Sequence, residues 1–153
     1  MSNEITIDEL KTKVGQELGV SEWMPISQQD INKFAFLTND HQFIHVDVEK
    51  AKESPFGGTI AHGFFTISLI VPMAHSALPA IKDRTMGVNY GFDRLRLMSP
   101  VKSGAKIRGR FVLKSLESKT EKQHQLVHTV TIEIEGEQKP ALVADWVTLA
   151  YTK

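Results

Sequence analysis

The stretch TNDHQFIHVD, Thr38 to Asp47, places Asp40 and His45 five positions apart, just after an apolar run with helical spacing. A carboxylate and an imidazole gathered round one water can activate it, because an imidazole titrates near pH 6.5 and so takes and gives protons at neutral pH. A structural reading stands beside this one: Asp40 caps the next turn and His45 is a satisfied loop residue. Spacing alone leaves both open. A second candidate is Ala61-His62-Gly63, which follows a Gly57-Gly58 turn and opens a long apolar segment. Backbone N–H groups at a helix start have no intrahelical acceptor and can hold a developing oxyanion, and glycine lets a ligand come close to the backbone. The same glycines would equally serve turn geometry and close helix packing.

Other chemistries are weaker. His41, His45 and His62 offer three nitrogen ligands, but there is no HExxH spacing and the residues around them do not complete a ligand set, so no metal is expected. Neither a Gly-x-Ser-x-Gly elbow nor a phosphate-cradling glycine loop is present, which argues against a serine hydrolase. The sequence has no cysteine, so disulfides, thiolate metal sites and cysteine nucleophiles are excluded. The segment from Asn89 to Arg110 concentrates Arg94, Arg96, Lys102, Lys106, Arg108 and Arg110. Such residues form either a solvated strand face or contacts to the phosphates of a nucleotide-bearing substrate.

The elements that must position these residues follow from periodicity. Ser27 is a good N-cap with Asp30 three residues on, and Ile31, Phe34 and Ala35 share a face, which predicts a helix over residues 28–38. Asp47 caps one short turn before Ser54-Pro55 and Gly57-Gly58 break it. From Ile60 to Leu78 the chain is apolar nearly all round, which predicts a buried central helix, bent near Pro72. Its polar interruptions leave too short a span for a bilayer. Segments 85–97, 106–116, 124–135 and 141–151 are rich in β-branched and aromatic residues and separated by turns, so four long antiparallel strands are expected, with a further strand around 13–18.

These elements make an α+β fold, a single domain over residues 1–153 with the sheet curled round one buried helix. Eighteen basic residues balance eighteen acidic ones, so no whole-molecule field would gather a nucleic acid. The amphipathic start MSNEITIDELKTKVGQ does not read as a secretory signal, and a cytoplasmic location is expected. With no disulfide to reinforce a modest core, and a sheet edge left to cover, a homodimer is expected as well.

Taken together, the segments resemble the MaoC-like dehydratase family of hot-dog folds, which includes R-specific enoyl-CoA hydratases, and within it the branch similar to nodulation protein N. The hydratase motif, in outline Gly-Asp-x-Asn-Pro-x-His-x-Asp, meets this chain at Asn39-Asp40-His41-Gln42-Phe43-Ile44-His45-Val46-Asp47. PFGGTIAHG at Pro55 to Gly63 and FDRLRLMSPVKSG at Phe92 to Gly104 match further on. The resemblance implies an antiparallel sheet wrapped round a helix, a dimer joined edge to edge, and an acyl-CoA thioester as substrate with no separate cofactor. It makes Asp40 and His45 the catalytic dyad for syn hydration of a trans-2-enoyl-CoA. It also makes Gly63 the donor to the thioester carbonyl, with His62 and Thr66 beside the substrate, and Arg94, Arg96 and Arg108 candidates for the coenzyme's phosphates. Asn39 stands where the motif has glycine, and asparagine tolerates positive φ better than most residues. Gln42-Phe43 replace Asn-Pro and alter the loop rim. A non-catalytic acyl-thioester-binding protein and a thioesterase are the rival readings on the same fold.

Overall fold

The computed structural model describes residues 3–153. The chain opens with β1 (Glu4–Ile5) and the short helix α1 (Ile7–Lys11), where Thr6 and Glu9 close a reciprocal capping box. Strands β2 (Glu17–Val20) and β3 (Met24–Pro25) follow, so the expected strand near 13–18 lies a few residues further along. Helix α2 spans Gln28–Thr38, as its periodicity predicts, with the Ser27 hydroxyl accepting from the Asp30 N–H at 3.1 Å. Single turns α3 (Phe43–Val46) and α4 (Val48–Ala51) come next, the second capped by Asp47, whose carboxylate accepts from the Lys50 N–H at 3.0 Å.

The central helix is in two pieces, α5 (Gly63–Ser68) and α6 (Ile70–Ala77), divided at Leu69. Pro72 is the cause, although the break lies upstream of it. Its ring has no N–H for the Ser68 carbonyl four residues back and would clash with that carbonyl in a continuous helix. After β4 (Ala80–Ile81), which pairs in parallel with β1, the four long strands are β5 (Arg84–Leu97), β6 (Lys106–Ser118), β7 (Gln123–Ile134) and β8 (Leu142–Thr152).

Together with β2 and β3 the long strands form a six-stranded antiparallel sheet in the order β2-β6-β7-β8-β5, with β3 also on β6. Sequential hairpins join β6, β7 and β8, whereas β5 pairs only with β8 and occupies the far edge. Three register shifts along the β5–β8 ladder let the sheet coil. One sheet face packs on the helix: Ile70, Met73 and Ala74 meet Phe111, Val130, Ile132, Leu142, Ala144 and Trp146. The contact is tight enough that a Cβ on Gly19 of β2 would overlap the Ala77 carbonyl of α6. No helix among the described residues is long and apolar enough to cross a membrane.

Candidate active site

Asn39 ends α2 in the left-handed conformation, φ 58° and ψ 29°, which turns the chain out of the helix and presents Asp40 on exposed, non-helical backbone. The Asp40 carboxylate accepts from the Gln42 N–H at 3.4 Å, a weak local bond. His45, on α3, is buried, and its Nδ1 lies 2.7 Å from the Ile60 carbonyl oxygen. A carbonyl only accepts, so Nδ1 carries the proton and Nε2 keeps its lone pair. That is the form a general base needs.

The backbone of His45 is held as firmly as its ring. The Gln28 side-chain amide donates to the His45 carbonyl at 2.7 Å and accepts from the Thr59 hydroxyl at 2.5 Å, joining α2, α3 and the strand-like segment before the central helix. That segment is tied in turn to the loop after β5, with the Ala61 N–H donating to the Val101 carbonyl at 2.8 Å and the Ser103 N–H to the Thr59 carbonyl at 3.0 Å. Gln28 and Thr59 were not apparent in the sequence, because their partners are 17 and 31 positions away.

His62 lies directly against His45, with ring centroids 3.9 Å apart and planes at 24°. Its Nε2 is 2.9 Å from the Asp40 carbonyl oxygen. The Asp40 carboxylate and one nitrogen from each imidazole all lie within 4.8 Å of one another. One water making two hydrogen bonds of about 2.8 Å spans such a separation. The cluster also corrects the metal alternative weighed above, because Asp40, and not the exposed His41, joins His45 and His62. His45 Nδ1 and His62 Nε2 each donate to a backbone carbonyl and His62 Nδ1 is sealed from solvent, so the two rings do not offer a pair of free nitrogens to one ion.

Gly63 begins α5 with no side-chain cap in front of it, leaving its N–H without an intrahelical acceptor. A Cβ there would sit 2.5 Å from a methyl of Leu97, so glycine is needed where β5 ends against the helix start. Thr66 is buried one turn further along α5. Gly63 directly follows His62, which meets both Asp40 and His45, and Thr66 lies on the same short helix.

The arginines are elsewhere. Leu95, Ile107, Phe111 and Ala144 face the helix, so by alternation Arg94, Arg96, Arg108 and Arg110 occupy the opposite face. Arg108 is held by Glu133 at 2.7 Å and lies over the Trp23 ring at 4.3 Å, while Arg110 joins Glu133 and Glu17. Arg94 lies 3.4 Å from Asp145, which also takes bonds from Lys114 at 2.9 Å and Thr129 at 2.8 Å. Burial alone would raise the Asp145 carboxyl, but these donors and charges outweigh it and hold it below its usual range. Among the described residues Arg96 makes no salt bridge.

A cavity of about 620 Å³ opens at the other end of the central helix, between α6 and the start of β5. Leu10, Leu18, Val71, Ala74 and Leu78 form apolar walls, and Arg84, Asn89 and His128 supply polar groups.

Comparisons with known proteins place the sequence and the fold. A family profile described as a MaoC like domain matches residues 9–136. Nodulation protein N of Rhizobium leguminosarum bv. viciae is 51% identical over 148 residues, covering 96% of this chain and 92% of the relative. The 3-hydroxyacyl-thioester dehydratase Z of Mycobacterium tuberculosis is 38% identical over 140 residues, covering 92% of each. Among solved structures, a monoamine oxidase regulatory protein from Archaeoglobus superposes with a TM-score of 0.83 at 22% identity, covering 100% of this chain and 99% of that one. An (R)-hydratase from A. caviae superposes at 0.68 with 21% identity, over 88% and 94% of the two chains. At those identities the structures establish the shared fold, and the sequence match carries the rest: the chain belongs to the MaoC-like dehydratase family.

Proposed function

We propose that the protein is a cytoplasmic (R)-specific enoyl-CoA hydratase, adding water reversibly and syn across a trans-2-enoyl-CoA to give the (R)-3-hydroxyacyl-CoA. The observation that carries this reading is the tautomer of His45: Nδ1–H is committed to Ile60, so Nε2 keeps a lone pair, on a ring of which one nitrogen lies within 4.8 Å of the Asp40 carboxylate. In the forward reaction the dyad takes one proton from the water as its oxygen bonds C3. The electron pair of the double bond moves toward the thioester oxygen, which the Gly63 N–H stabilises. The dyad then returns a proton to C2 from the same face, so that one whole water is added. No cofactor is called for.

Membership of a dehydratase family supports the reaction class, and so does a relative named as a 3-hydroxyacyl-thioester dehydratase. The coenzyme's phosphates are assigned to Arg94 and Arg96, which remain exposed, ahead of Arg108, which Glu133 and Trp23 engage. A homodimer belongs to the same reading. If β5 pairs with its copy antiparallel about its centre, the partner's Arg84, on the cavity rim, comes beside the Leu97 that touches Gly63, and the partner's Asn89 beside Phe92. The cavity of one protomer would then continue the site of the other. A thioesterase is disfavoured because α5 and α6 carry no carboxylate.

Loss of absorbance at the enoyl thioester band, followed across a ladder of enoyl-CoA lengths, tests the activity. The reading requires turnover on at least one rung with no free thiol released. Thiol release in step with the absorbance change would establish a thioesterase instead, and silence on every rung would favour the binding protein.

A further inference from the structure

His62 touches both members of the dyad, yet the mechanism above gives it no step. It is 2% exposed and sandwiched between the rings of His45 and Phe34, at 3.9 Å and 5.0 Å between centroids. Because the Asp40 carbonyl can only accept, Nε2 of His62 must carry the hydrogen of the 2.9 Å bond between them. Among the described residues this is the one tertiary hydrogen bond to the backbone of residues 39–41. The other ring nitrogen, Nδ1, is sealed from solvent and has no partner.

A buried polar atom without a partner is unfavourable, and a phenylalanine would fill the same slot without one. What the imidazole adds over phenylalanine is its Nε2–H. We infer that His62 is a positioning residue: one side chain pins the Asp40 backbone through Nε2–H and backs the His45 ring by stacking, so that carboxylate and imidazole stay in register round their water. This rests on the dyad reading and differs from a role in contacting the substrate, because Nδ1 is buried and Nε2 already has an acceptor. Without the bond, Asp40 is left on an exposed loop whose remaining anchor is the 3.4 Å contact to Gln42.

Two variants separate the donor from the ring. In His62→Gln the side-chain nitrogen is as many bonds from the backbone as imidazole Nε2, and in His62→Phe the stacking ring remains without a donor. Steady-state kinetics on an enoyl-CoA that the wild type hydrates should show His62→Phe lowering kcat about tenfold or more with KM within about twofold, since misplacement of catalytic groups acts on the chemical step. His62→Gln should recover to within about threefold of wild type. A raised KM with kcat unchanged would make His62 a substrate contact, and equal rates for His62→Phe and wild type would leave it no role; either overturns the inference. Proton–nitrogen correlation spectra of the wild-type imidazoles give a reading that needs neither variant nor substrate. They should show His62 protonated at Nε2 and bare at Nδ1, and a proton on Nδ1 instead would remove the bond to Asp40. An inactive wild type would end the proposed function, while the spectra would still decide the bond.

Discussion

His128 lies on β7 between Phe111 and Trp146, with Nδ1 unpartnered, and burial pushes its proton affinity down to about 4 from an ordinary 6.5. Between those two pH values the unfolded chain binds a proton that the folded chain refuses, so stability falls as pH falls from 6.5 toward 4. The loss attributable to this one group is about 3 kcal/mol in total. Urea unfolding of His128→Leu across that window should show a clearly flatter acid limb than wild type, and identical limbs would mean that other groups govern it. Asp40 and His45 were legible as a pair because they are close in sequence on one loop. Their supports were not. Ile60 and Gln28 act on His45 through a backbone carbonyl and a side-chain amide, 15 and 17 positions away, and neither residue type announces such a role.

β5 carries the most exposed apolar surface of the sheet: Tyr90 is 68% exposed and Met86 51%, and the strand pairs on one side only. A free edge of this length invites another chain, and a second copy of β5 is the complement closest to hand. Sedimentation at micromolar concentration should therefore find a species twice the 17.2 kDa chain mass, whereas a monomer alone would remove the dimer and with it the shared cavity. The limits of the four long strands were readable within two residues, because alternation and turn residues are local signals. Their order was not, since the loop after β5 carries the chain past two intervening strands, β8 and β7, to β6, and only the packed molecule fixes that crossing. The break at Leu69 was displaced from its expected place for a similar reason: proline acts on the carbonyl four residues behind it.

At the scale of the whole molecule, sheet and helix act as a frame that delivers two loops to one place. The α2–α3 loop supplies Asp40 and His45, and the turn before α5 supplies His62 and Gly63, with Gln28 and Ile60 joining the two. Family motifs announced both loops, whereas the arginines those motifs include lie on the opposite sheet face, where alternation puts them. The claim on which the whole account turns is that Asp40 and His45 activate one water. The most direct test is the hydration rate of Asp40→Asn, His45→Gln and the double variant, with folding checked by thermal unfolding. Each single change preserves shape and should lower kcat by about a hundredfold or more, on the scale of general acid–base groups. The double variant should be scarcely slower than either single one, because the two groups act as a unit on the same water. Near-normal turnover in either folded single variant would contradict the account.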